Sequence, residues 1–232
     1  MKKTLLLTVV SLFAIVGTAT AKDYGFKIAG VSVTSSNCNN VTGSQIKSGT
    51  VKYDESTNTV TLTGVTISRD GSGNRAILNT GCTGLKVVFK GTNNLSAADA
   101  APVRIEKNTS ISCESGGTAT ITGGSEDVIC VYNSSTKLTI SDANLTLKAT
   151  NSEVFDGDGK ASLSIDSSPI TASSSSSVIF QNIATLSVNK STLTLTTPSS
   201  KVIGQKLGTL SLGKEMNSMP YEIYLDSSGD IR

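Results

Sequence analysis

Leu138-Thr139-Ile140, Leu145-Thr146-Leu147 and Val154-Phe155 make up one copy of a pattern. It returns as Leu163-Ser164-Ile165, Ile170-Thr171-Ala172 and Val178-Ile179, and again as Leu186-Ser187-Val188, Leu193-Thr194-Leu195 and Val202-Ile203. Traced outward from these copies, the pattern runs from Asn79 to Leu212 with a period of about 23 to 27 residues. A near-constant period of this length marks a solenoid, in which each copy buries its apolar side chains against its neighbours.

Aligning the copies places Leu85/Val87, Ile111/Cys113, Leu138/Ile140, Leu163/Ile165, Leu186/Val188 and Leu210/Leu212 in one column pair. Leu95, Ile121, Leu147, Ala172 and Leu195 form a second column, and Val103, Val128, Val154, Val178 and Val202 a third. Val60/Leu62 and Ile67 read as a first, less regular copy. Three short alternating strands per copy predict a three-sided parallel coil. About seven rungs at roughly 4.8 Å each give a rod roughly 34 Å long. Asn79, Asn133, Asp158-Gly159 and Asn182 fall between strands, where the backbone must bend. A two-sheet β-sandwich also uses many short strands, but its strands would not recur in columns at one spacing.

The ends differ in texture. Lys2 and Lys3, the apolar run Leu5 to Val16 and the small residues Ala19-Thr20-Ala21 predict a secretory signal over 1–21, with the mature chain starting at Lys22. That apolar run is short for a bilayer span, and no later segment is apolar enough for one. Tyr24, Phe26, Ile28, Val31 and Val33 alternate, so 22–58 reads as an N-terminal cap of edge strands. The coil is expected over 59–213. A C-terminal cap is expected over 214–232, carrying Met216, Met219, Tyr221, Ile223 and Leu225. Caps are needed because the end rungs of a solenoid expose strand edges and core. The chain is therefore expected to be exported, to the periplasm, the cell surface or the medium.

Of the 20 basic residues, two lie in 1–21, which leaves 18 against 18 acids and a net charge near zero. That balance argues against nucleic acid, whose phosphates call for an excess of Lys and Arg. The absence of histidine excludes a Ser-His-Asp or Cys-His arrangement and any imidazole-based metal site. Four cysteines remain, Cys38, Cys82, Cys113 and Cys130, with three possible connectivities if they form disulfides. The favoured pairing is Cys38–Cys82 and Cys113–Cys130. The other reading is free thiols acting as small apolar residues. There is no C-x-x-C to suggest zinc.

Gly49-Thr50-Val51-Lys52-Tyr53-Asp54, Thr59-Val60-Thr61-Leu62-Thr63-Gly64-Val65-Thr66-Ile67 and Gly84-Leu85-Lys86-Val87-Val88-Phe89-Lys90-Gly91-Thr92-Asn93 carry a resemblance to a known family. This texture resembles the right-handed parallel β-helix, or pectin-lyase-like, superfamily. More narrowly, it is similar to small exported β-helix proteins common in Bacteroidetes. The resemblance covers most of 24–212 and implies an all-β, single-domain parallel β-helix. It implies little about activity. The superfamily includes polysaccharide lyases, which hold calcium on stacked carboxylates, and hydrolases, which use paired acids.

Asp127 and Glu153 each precede a column valine, so neighbouring rungs would bring their backbones within roughly 5 Å. They make either a calcium or substrate site, joined by Glu126, or a pair of solvated corner acids. Asp156-Gly157-Asp158-Gly159 resembles the start of a calcium loop but lacks the ligands further on, and reads as a corner. Ile129, Phe155, Ile179 and Ile203 each follow a column valine. Strict alternation would place all four outside as an apolar contact stripe. The opposing readings are that the chain bends so both residues of each pair face inward, or that 216–225 folds over them. Together these point to a non-enzymatic exported protein that binds a glycan or a protein partner. The alternatives are a polysaccharide lyase or hydrolase using Asp127 and Glu153, or a self-associating structural rod. No cofactor is called for beyond the calcium reading.

Overall fold

The computed structural model describes residues 20–71, 73–133, 135–198, 201–204 and 209–212. Strands β1 (Asp23–Ile28) and β2 (Val31–Thr34) form an antiparallel hairpin, and β3 (Ile46–Asp54) pairs antiparallel with β4 (Thr59–Arg69). β1 also runs antiparallel to β5 (Ile77–Asn79), so it lies along the first turn of the coil. Beyond this end, every named strand pairing is parallel and runs between successive turns.

Three ladders make the sides. The first runs through the start of β4, β6 (Leu85–Lys90), β9 (Thr109–Cys113), β12 (Lys137–Ser141), the later parts of β14 (Phe155–Asp166) and β16 (Phe180–Asn189), and β18 (Thr209–Leu212). The second joins the end of β4 to β7 (Thr92–Ala97), β10 (Thr118–Gly123), β13 (Leu145–Ala149), β15 (Pro169–Ser174) and β17 (Thr192–Thr196). The third runs from β5 through β8 (Val103–Ile105) and β11 (Ile129–Val131) to the starts of β14 and β16. The protein is thus an all-β parallel solenoid of about five turns, fewer than the seven rungs expected. The first and last copies are partial: β3 and the β1–β2 hairpin cover one, and β18 alone represents the other among the described residues.

The pattern explains the coil. Inward residues stack on their equivalents one turn away, as in the column Ile67, Leu95, Ile121, Leu147, Ala172 and Leu195. All but Leu195 are fully buried, and Leu195 packs against the core. Outward residues are mostly Thr, Ser and Lys, which tolerate water and β geometry alike. The corners take left-handed backbone: Asn133 (φ 77), Asn182 (φ 54) and Gly159 (φ 80) all adopt it, a conformation that Asn and Gly enter at least cost.

Two expected registers shift. In the first ladder Leu138 and Ile140 stand opposite Thr109 and Ile111, not Ile111 and Cys113. Thr109 takes an inward position because its hydroxyl serves a buried amide, that of Asn79. In the third ladder the column is Ile77, Val103, Ile129, Phe155 and Phe180, with an isolated bridge to Ile203. The valines Val128 and Val154 sit one residue earlier, at the corner.

That shift removes the apolar stripe. Ile129, Phe155 and Ile179 are fully buried, and Ile203 packs partly buried against the core. Val128 and Val154 are buried as well, because the corner breaks the alternation and turns both members of each pair inward. The expected signal segment lies almost entirely outside the described residues, and the expected C-terminal cap lies wholly outside them. Among the described residues, no helix is long and apolar enough to cross a membrane.

Candidate functional site

The outer face of the third ladder brings together several chemistry-bearing side chains. Its register sets Leu78, Arg104, Cys130, Asp156 and Gln181 in one row across five turns. Inward neighbours anchor the row: Ile129 and Val131 flank Cys130 and are fully buried. At the corner preceding the strands, Asp127, Ser152, Glu153 and Ser177 come together.

Asp127 and Glu153 do meet, as their spacing suggests, through a third residue. Ser152 Oγ lies 2.7 Å from Asp127 Oδ1 and 2.7 Å from Glu153 Oε2, while Ser177 Oγ donates to Glu153 Oε1 at 2.7 Å. One hydroxyl carries one proton. Both Ser152 contacts are therefore bonds only when a carboxyl supplies the second proton. Of the two, Asp127 holds a proton more readily: burial above all, then contact with Glu153 and the charges of Asp156 and Glu153, push it up to about 7 against the opposing Ser152 bond. Burial also pushes Glu153 up, but the bonds from Ser152, Ser177 and Asp127 outweigh it and leave Glu153 below its ordinary value.

Glu126 does not join the pair. It accepts from Ala101 N at 3.1 Å and lies 3.5 Å from Arg75 Nη1, away from the Asp127–Glu153 pair it was offered as joining in the calcium alternative. Asp156 comes in its place. It accepts from Asn182 Nδ2 at 2.9 Å, and burial, the first cause, holds it above its ordinary value. The stretch Asp156-Gly157-Asp158-Gly159 lies within β14, at the corner where that strand passes from the third ladder to the first. The sequence offers Cys130 as a disulfide candidate and Asp156 as the start of a calcium-loop pattern, and does not join the two to Asp127. The only signal for that grouping was the third-ladder register, which the one-residue offset concealed.

All four cysteines are free thiols, so neither expected disulfide forms. Cys82 Sγ lies 3.0 Å from Asn58 Oδ1, and Cys38 Sγ lies 3.7 Å from Ser35 O. Cys113 ends a strand of the first ladder, its Sγ 3.8 Å from Asn144 O, whereas Cys130 belongs to the third ladder. The two lie on different sides of the coil. Burial, reinforced by Asp127 and Asp156 and opposed by Arg104 and Arg75, pushes the Cys130 thiol up to about 12.

Two residues beyond Cys130, Tyr132 is the exposed large apolar side chain among the described residues, at 46% exposure. The Arg104 guanidinium carbon stands 4.1 Å from its ring centre, and Arg104 is pinned by two contacts of 2.8 Å to Glu106 Oε1. Beside this stack a shallow groove of about 360 Å³ is lined by Thr83, Glu106, Lys107, Asn108, Asn133, Ser135 and Thr136. Asn133 Nδ2 and Thr136 Oγ1 both donate to Glu106 O, which fixes the groove wall.

Comparison with protein-family models, with curated proteins and with solved structures finds no match.

Proposed function

We propose that this protein is an exported, non-enzymatic rod that binds a glycan in the groove beside Tyr132. One observation carries the reading: a half-exposed aromatic ring, braced from Arg104, adjoins through Asn133 and Glu106 a groove lined by amides, hydroxyls, one carboxylate and one ammonium. Sugar rings offer apolar C–H faces to an aromatic ring and hydroxyls to amides and carboxylates. Export rests on the Lys2-to-Ala21 signal pattern and predicts that the secreted chain starts at Lys22 on N-terminal sequencing.

The reading is tested with the mature protein on a glycan array. Tyr132→Ala should weaken the best-bound glycan by up to about tenfold, the worth of one aromatic contact. A wild-type protein that retains no glycan, or a Tyr132→Ala variant that binds like wild type, would overturn it.

The lyase or hydrolase alternative uses Asp127 and Glu153. There the Ser152 hydroxyl occupies the space between the two carboxyls that a water or glycosidic oxygen would need. Unsaturated or reducing ends released from polysaccharide, and lost in Asp127→Ala, would reverse this preference. The apolar stripe offered for docking or self-association lies in or against the core; a flat outer face and an open rod end are the other surfaces for those alternatives.

A further inference from the structure

Cys130, Asp127 and Asp156 come from two neighbouring turns, and the Cys130 sulfur and one carboxylate oxygen from each aspartate lie within 4.8 Å of one another. Cys130 is only 8% exposed. Its thiol makes no hydrogen bond among the described residues and is aimed at the two carboxylates. A buried thiol with no bonded partner beside two acids calls for something on which all three can converge. We propose that these three side chains bind a single borderline-soft divalent transition metal, of which Zn²⁺ is the best match.

The donor set selects the metal. Calcium and magnesium take oxygen ligands, whereas a thiolate favours zinc and its neighbours. Three protein ligands leave a fourth position open to water in a tetrahedral site. Both carboxylates are already oriented from behind, Asp127 through Ser152 and Asp156 through Asn182, as metal-binding carboxylates usually are. Charge also fits. Two carboxylates and a thiolate around a dication leave a net of minus one, with Arg104 and Arg75 close enough to act on Cys130. Without a cation the thiol keeps its proton and Asp127 holds one readily; metal binding by a thiolate and two carboxylates displaces both protons to solvent. The site is independent of whether the groove beside Tyr132 takes a glycan.

The test is Co²⁺ and Zn²⁺ titration of the purified full chain near neutral pH. Co²⁺ should produce a sulfur-to-cobalt charge-transfer band, and Zn²⁺ should bleach it. The band should vanish in Cys130→Ser and persist in Cys113→Ser. Asn182→Ala, which leaves all three ligands in place, should weaken Zn²⁺ binding about 10- to 100-fold. Wild-type protein that gives no charge-transfer band overturns the proposal, whatever the variants do. So does a band that survives Cys130→Ser, or Ca²⁺ binding at the site in preference to Zn²⁺.

Discussion

Asn79 is completely buried, yet its side chain is fully employed. Nδ2 donates to Cys82 O at 2.8 Å and to Thr109 Oγ1 at 3.0 Å, and Oδ1 accepts from Cys82 N at 2.9 Å. Asn93 does the same one side away, accepting from Val65 N and donating to carbonyls that include Thr118 O on the next turn. Such asparagines satisfy corner backbone that no ladder reaches. Asn79→Ala leaves buried backbone unpaired and should lower unfolding stability by about 2–3 kcal/mol in a urea titration. In the N-terminal cap, Glu55 is held below its ordinary value of 4.5, first by Lys22 and then by Tyr24. A lowered folded value adds stability above the unfolded value and gives it up as pH falls through the folded one. Carboxyl NMR should therefore show Glu55 titrating below pH 4.5, and Lys22→Gln should move its midpoint back up.

At the scale of strands, the third ladder is held by an aromatic stack that crosses turns. Phe155 and Phe180 stand in register with ring centres 5.2 Å apart and planes 10° from parallel. Phe155→Ala would leave a cavity in a fully buried column and should cost about 3–5 kcal/mol on denaturation. The corners are equally constrained. A Cβ on Gly124 would stand 2.1 Å from Ala98 O, a backbone atom of the turn before. Gly124→Ala must push two turns apart and should cost about 1–3 kcal/mol, read as a fall in thermal midpoint.

Over the whole molecule, each turn contacts only its neighbours, so stability should vary along the rod. The inward residues of the central turns, such as Ile121, Leu147 and Ile140, are fully buried, whereas Leu195, Val202 and Ile203 are only partly so. Amide hydrogen exchange should follow that gradient, slowest in β10, β12 and β13 and fastest in β17. Uniform protection across these strands would mean that the rod opens as one unit. The metal proposal belongs to this scale too, because its ligands join two turns. Zn²⁺ should raise the thermal midpoint of wild type and not of Cys130→Ser.

Aliphatic residues recurring at one spacing were enough, by themselves, to determine a stacked parallel coil. A short alternating strand that must bury one face finds its partner in the next copy of itself. The second ladder was legible along its central column, Ile67 to Leu195, because every residue there is apolar, while the buried Asn93 and Ser174 lie nearer the strand ends. Tertiary structure decided what lies across each turn in the other two. Thr109 is inward because Asn79 needs its hydroxyl, and Val128 and Val154 face inward at a corner where alternation fails. That single-residue offset turned a supposed outer stripe into core and brought Cys130 and Asp156 beside Asp127 on the outer face. Corners can absorb or add a residue at little energetic cost, so one period is compatible with several registers. Only the packing of one whole turn on the next selects among them.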